Sequence, residues 1–276
     1  GIRDHCVTGV QTCALPICLR NLAAGTQQLT YQLYAPSLAR YDRVIVFSEL
    51  QAGVLERLGV RPERIAVIPN GVDEQVWRPC GVVPSPEYCE LAARFAGRRL
   101  FLYMGRITTE KNVEALLRAW RLVRPEGCLL VIVGDGPLRG LLQNTGEPDV
   151  LWWGIEASLE RRVALLQLAE VFLLPSLVEG LSIALLEAMA SGTACVATDA
   201  GADGQVLEGG AGIVIRTQGV TTQLRTLLPV LRDQPVLTAE LGRRARLRVQ
   251  ERYTLRCNID ALERLYGEVM HQPVAA

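Results

Sequence analysis

Apolar residues in this chain fall in short unbroken runs rather than in strict alternation. Tyr41–Phe47, Arg64–Ile68, Arg99–Met104, Leu129–Val133, Val150–Trp153, Val171–Leu174, Ala194–Ala197 and Gly212–Ile215 each have the length and bounding of a strand buried on both faces. Between them the spacing changes to that of helices, at Glu49 to about Leu58, Pro86–Phe95, Val113–Val123, Ile183–Ser191, Thr221–Leu231, Leu237–Glu251 and Arg256–Met270. Strand and helix alternate from Leu100 to Val214, which predicts an α/β chain with a Rossmann-like, doubly wound parallel sheet. In such a sheet ligands bind outside the carboxyl ends of the strands, so the loops that follow the strands are where chemistry is sought.

The stretch from Val171 to Asp199 organises that search. Two strands flank one helix, with Ser182 as its N-cap and Gly192 where a C′ glycine belongs. The helix is apolar on nearly every face and should be buried, yet it carries Glu187. A buried carboxylate needs donors, and ligand hydroxyls would serve. Glu179 stands just before the helix, where the N–H groups of Gly180, Leu181, Ser182 and Ile183 and the helix dipole favour an anion. Backbone amides holding a diphosphate, with a carboxylate on either side accepting from sugar hydroxyls, fit a nucleotide sugar. The alternative is that Glu179 is a solvated loop acid and Glu187 pairs with an arginine, with no ligand involved.

Two further loops add cations and glycines. The sequence GRITTEKN opens the helix Val113–Val123 with Thr109 or Glu110 near its start, and there Arg106 and Lys111 oppose the macrodipole unless an anion lies between them. Gly134-Asp135-Gly136-Pro137 is a tight strand-to-helix turn without the spacing of a dinucleotide fingerprint. Asn70 and Asp73, in PNGVD, read as turn formers.

Composition narrows the class. The chain has 276 residues, 49% of them apolar, with Lys+Arg equal to Asp+Glu at 29 each, which excludes disorder and a basic nucleic-acid protein. No apolar run reaches the ~18 residues that span a bilayer. The eight Cys form no Cys-x2-Cys pair, so a zinc site is not expected, and buried Cys128 and Cys195 suit a reducing cytoplasm. No Asp-x-Asp pair is present to hold Mg²⁺ beside phosphate, so neither metal nor cofactor is expected.

EGLSIALLEAMASGTACVATDAGADGQVL, from Glu179 to Leu207, together with IPNGVD, GRITTEKN, GDGP and AEVFLLPS, resembles the Glu-x7-Glu segment and companion motifs of the retaining glycosyltransferases of GT-B fold, family four (group 1). The resemblance runs from about Leu33 to Met270. It implies a complete C-terminal, nucleotide-sugar-binding domain and a remnant of the N-terminal, acceptor-side domain. It also implies roles: Arg106 and Lys111 on the donor diphosphate, Glu179 on the sugar and Glu187 on the ribose. Gly105, Gly134, Asp135 and Gly136 would line the donor cleft, with Gly154 and Ile155 at the nucleobase. The implied reaction moves a sugar from a nucleotide diphosphate sugar to a hydroxyl of a glycan or lipid-linked acceptor, with retention, in the cytoplasm or peripherally at the membrane through the N-terminal domain. A non-catalytic nucleotide-sugar-binding module or a sugar-nucleotide epimerase of the same fold are the alternatives.

Residues 1–18 show no helix or strand signal, resemble translated sequencing-adapter reads and are expected to be non-native or unstructured. The expected division is then 19–79 for the N-terminal remnant, 80–255 for the donor domain and 256–276 for a helix returning to the first domain. About sixty residues stand where a complete member has roughly 150–200. The glycine-rich loop and the His or Asp region near the N-terminus find no counterpart, and His5 cannot replace them. The expectation is of an N-terminally truncated transferase with the apolar stripe of its last helix exposed.

Overall fold

The computed structural model describes residues 10–12, 37–38, 40–95, 97–143, 147 and 149–271. The chain divides into two compact units, Val72–Thr254 and a smaller one made of Gly1–Gly71 with Leu255–Ala276.

The larger unit is a six-stranded sheet, parallel throughout, built from β4 (Arg99–Met104), β5 (Cys128–Val133), β6 (Val150–Gly154), β7 (Ala169–Leu174), β8 (Ala194–Thr198) and β9 (Ile213–Ile215). The strand order is β6-β5-β4-β7-β8-β9, so the chain winds outward one way from β4 and then the other way from β7. This is the doubly wound order in which the strand sequence reverses once, and the crevice between β4 and β7 is its switch point. Every residue of β5 and β8 is buried, which is why those runs are continuously apolar. The two edge strands carry most of the sheet's half-exposed positions.

Helices cover the sheet. Val113–Val123 buries Val113, Leu116, Leu117, Ala119 and Trp120, one stripe at helical spacing, with Trp120 set edge-on against Phe101 at 5.5 Å. Ile183–Ala190 has Leu185, Leu186, Ala188, Met189 and Ala190 buried, in line with its all-round apolar character. Its caps are those expected: Ser182 Oγ accepts from Leu185 N at 3.4 Å, and Gly192 takes φ +78°. The division begins at Val72 rather than at residue 80. The Pro79–Pro86 stretch looks like a linker, but Trp77 before it is already buried, with the Arg162 guanidinium 5.6 Å from its ring. Val72 N also donates to Tyr253 O, so the strands of chain entering and leaving this unit run side by side.

Among its described residues the smaller unit holds three parallel strands in the order β1-β2-β3, namely Val10–Thr12, Arg43–Val46 and Ile65–Val67. Val10–Thr12 pairs with Arg43–Ile45, which corrects the expectation of no strand in residues 1–18. Three residues are too few to show a period, and only the neighbouring strand makes them β. The rest of 1–18 lies outside the described residues. The helix Glu49–Arg57 is capped by Ser48 and packs Ala52 and Leu55 against Val44 and Val46. Leu255–Met270 buries Leu265 with Ile45 and Ile68, flanked by Ala261 and Leu262. The stripe expected to be exposed is therefore split: that part is covered, while Ile259 and Tyr266 remain open to solvent. Among the described residues no helix is long and apolar enough to cross a membrane.

Candidate functional site

The loops that leave β4 and β7 meet at the switch point. After β4 the chain turns through Gly105 and Arg106 and forms a turn in which Lys111 N and Asn112 N both donate to Thr108 O. Asn112 takes the left-handed conformation, φ 53°, and the helix begins at Val113, so Thr109 and Glu110 lie in this turn rather than in the first helical turn. That turn is stitched to the β7 loop by backbone, for Leu177 N donates to Glu110 O at 2.7 Å. Asn112 Nδ2 adds a bond to Pro175 O at 3.2 Å. Across the same seam Lys111 Nζ lies 2.5 Å from Glu179 Oε1, with both side chains largely buried at 17% and 8% exposure. Two groups separated by 68 residues are thus brought into one ion pair.

Around this pair lies an open cleft of about 260 Å³, lined on one side by Tyr103, Gly105, Arg106 and Lys111 and on the other by Glu179, Leu181, Ser182, Ile183 and Ala184. The Arg106 side chain is 76% exposed and its guanidinium is 3.8 Å from Glu110. A hydrogen bond from its own backbone N–H, and after it the nearby charges of Arg106 and Lys111, hold the Glu110 carboxyl below the usual range against the effect of burial. Tyr103, buried at the end of β4, donates its hydroxyl to Arg106 O at 2.6 Å, and burial followed by the nearby Glu179 charge pushes its pKa up. Tyr103 and Asn112 set this loop yet were not singled out from sequence. An aromatic near the end of a strand and an Asn before a helix are ordinary signals there.

The glycine turns abut the cleft without lining it. Gly134 N donates to Gly154 O at 2.7 Å, Gly105 N to Val133 O and Ile107 N to Asp135 O, so the three loops after β4, β5 and β6 form one layer. A Cβ on Gly134 would lie 2.0 Å from Gly105 O, and φ there is +131°, which accounts for that glycine. Gly136 belongs to the same layer, with Asp135 Oδ1 accepting from its N–H. Ile155, at the end of the layer, is exposed.

The anion site at the start of Ile183–Ala190 differs from expectation in one respect. Ser182 N is occupied, donating to Asp203 Oδ1 at 2.8 Å, and is not open to a ligand. The reason lies beyond reach of the local sequence: Asp203, fully buried, comes from the turn after β8. Among the described residues the N–H groups of Ile183 and Ala184 find no acceptor, and both residues line the cleft. Glu187 is one helical turn further on and half-buried, and among the described residues its carboxylate has no hydrogen bond or ion pair, only its backbone carbonyl accepting from Ser191. Burial pushes its carboxyl up to about 7, against the pull of Arg162. The alternative in which Glu187 pairs with an arginine finds no ion pair among the described residues, Arg162 acting on it only through its field. Glu187 does not line the Lys111–Glu179 cleft.

Residues 98–233 match the family described as Glycosyl transferases group 1, and residues 19–76 match the family described as Glycosyltransferase Family 4. Residues 98–233 thus carry a group 1 glycosyltransferase domain, and residues 19–76 a Glycosyltransferase Family 4 match. The group 1 match spans β4 to the helix Val220–Asp233, and so contains the whole cleft. Alpha-maltose-1-phosphate synthase of Mycolicibacterium smegmatis is 30% identical over 249 residues, covering 83% of this chain and 64% of the synthase. The UDP-Gal:alpha-D-GlcNAc-diphosphoundecaprenol alpha-1,3-galactosyltransferase of Escherichia coli is 25% identical over 235 residues, 78% of this chain and 57% of that enzyme. Among solved structures, Anabaena HepE in complex with UDP-glucose superposes with a TM-score of 0.74 at 21% identity, over 87% of this chain and 68% of that one, and shows the shared fold. The chain thus spans between about half and two thirds of the length of these curated relatives.

Proposed function

We propose that the Val72–Thr254 unit is the donor-binding domain of a retaining glycosyltransferase that takes a nucleotide diphosphate sugar. The observation that carries this reading is the Lys111–Glu179 pair at the switch point, beside Arg106 and the open helix start. In the absence of ligand the two charges satisfy each other. A diphosphate entering the crevice offers Lys111 a second anion, leaving Glu179 to accept from sugar hydroxyls, while the Ile183 and Ala184 amides add uncharged donors. Arg106, exposed on the other wall, closes the set of phosphate-binding groups. As the bond from the anomeric carbon to the diphosphate oxygen breaks, negative charge accumulates on the leaving group, where these cations and amides already point, so they stabilise the transition state more than the ground state. The acceptor hydroxyl oxygen then bonds to the anomeric carbon on the face the diphosphate leaves, and its proton passes to the departing diphosphate oxygen.

Glu187 takes the ribose hydroxyls, and Gly154–Ile155 the base. No metal ion has a part in this reading, since Arg106 and Lys111 offset the phosphate charge. The acceptor is a glycan or a lipid-linked sugar, as the name of the Escherichia coli relative suggests. The names of the solved neighbours make UDP the first probe. Calorimetry with UDP, GDP and the matching nucleosides tests the reading. Diphosphate binding at least about tenfold tighter than nucleoside binding, weakened by salt, is expected. Equal affinity for nucleoside and diphosphate would show that the cleft does not hold phosphate.

A further inference from the structure

Asp203 is the most buried acid described in the large unit, at 0% exposure, and the donor-site roles above make no use of it. It begins the short helix Asp203–Val206, yet among the described residues its carboxylate makes one hydrogen bond, from Ser182 N at 2.8 Å, and its Oδ2 makes none. A second bond runs the other way between the same segments: Ala202 N donates to Gly180 O at 2.8 Å. Gly201, just before these contacts, takes φ +57°, and a Cβ there would lie 2.2 Å from Glu179 O and 2.6 Å from Gly180 O. The turn Ala200–Asp203 therefore presses, backbone to backbone, on the loop that carries Glu179 and begins the helix at Ile183.

We propose that this turn is the template of the Glu179–Ile183 loop, with Asp203 a positioning residue that holds the helix start in place for the donor diphosphate. The inference rests on the donor-site reading. Burying a carboxyl with one oxygen unpaired is unfavourable, so packing alone does not account for an acid here. What the acid provides is a fixed acceptor for Ser182 N, which turns the next two amides, of Ile183 and Ala184, toward the cleft. Burial, and secondarily the Glu179 charge, push the Asp203 carboxyl up to about 8, while the Ser182 N–H and Lys111 act in the opposite sense. At neutral pH it is chiefly protonated, and so holds the loop without placing a further negative charge beside a bound diphosphate.

The test compares Asp203→Ala, Asp203→Asn and Gly201→Ala in the full chain. Ser182 amide exchange by NMR is the readout that needs no ligand: protection should be lost in Asp203→Ala and kept in Asp203→Asn. UDP and uridine titrations supply the second readout. Asp203→Ala should weaken UDP by about tenfold and leave uridine within about twofold of wild type. Asp203→Asn, neutral and of the same shape, should restore UDP binding. Wild-type affinity for UDP should fall as pH rises through about 8. In Asp203→Asn that fall should be absent, which separates the carboxyl from Lys111 and Glu179. If Asp203→Ala does not fold, Gly201→Ala takes its place, and the same selective loss of UDP binding is expected of it. Ser182 protection unchanged in Asp203→Ala, or equal losses for UDP and uridine with a lowered unfolding temperature, would overturn the inference. Wild type that binds neither UDP nor GDP would instead sink the donor-site reading, leaving Ser182 exchange to decide whether the clamp exists.

Discussion

Glu187→Gln should stabilise the protein above neutral pH and hardly at all in mild acid. Burial raises the Glu187 carboxyl from 4.5 to about 7, so between those values the folded chain keeps a proton that the unfolded chain releases. Stability contributed by this group is fully present below the unfolded value, falls as pH rises, and is lost above the folded value. A displacement of roughly 2.5 pH units at 1.36 kcal/mol each gives about 3 kcal/mol, an upper figure because the site can relax when charged. Glutamine keeps the shape and cannot ionise, so the variant escapes that loss. Urea denaturation followed by tryptophan fluorescence reads the right unit, because Trp77, Trp120, Trp152 and Trp153 all lie within Val72–Thr254. At pH 8 the variant's midpoint should exceed wild type by about 1 M urea, taking a slope of 1–3 kcal/mol per M. At pH 5 the two should nearly coincide. Asp203, pushed up to about 8, adds a decline of the same sign to both proteins and cancels in the difference. A gap between variant and wild type that does not change from pH 5 to pH 8, or a variant less stable at pH 8, would refute the argument.

Lys111→Ala leaves Glu179 unpaired with its side chain only 8% exposed, and should cost about 3 kcal/mol of stability as well as weaken UDP more than uridine, read by denaturation and calorimetry on the same samples. Arg106→Ala, whose side chain is 76% exposed, should leave stability within about 0.5 kcal/mol of wild type while still weakening UDP selectively. Gly134→Ala drives a Cβ to 2.0 Å from Gly105 O at φ +131°, so it should lower stability by about 3 kcal/mol or prevent recovery of folded protein, checked by the same urea series. Burial pushes the Cys195 thiol up, so native protein should be alkylated by iodoacetamide at exposed Cys89 and Cys257 well before Cys195, as mass mapping would show.

The runs and periods of the chain determine its elements by themselves. Arg99–Met104 is a strand as read, and Val113–Val123 a helix as read, because a stretch buried on both sides must be continuously apolar and a helix buried on one side must repeat every three to four residues. Ser182 and Gly192 mark the ends of their helix because caps are local chemistry. The carboxylates of the Glu-x7-Glu segment and the two cations could be named for the same reason: a charge in an apolar helix or against a helix dipole is anomalous within a few residues of itself. Which residues meet was decided by the sheet. Lys111 reaches Glu179 only because β4 and β7 are neighbours, an adjacency set by the strand order and not by any feature of either loop. Asp203, in a glycine-rich segment that reads as a plain connection, becomes a buried partner of Ser182 because β8 lies next to β7 and its loop folds over the helix start. A hydrogen bond between residues 21 apart leaves no periodic trace in either segment, and only the packing that brings them together states whether an amide near a helix start is open to a ligand or already held.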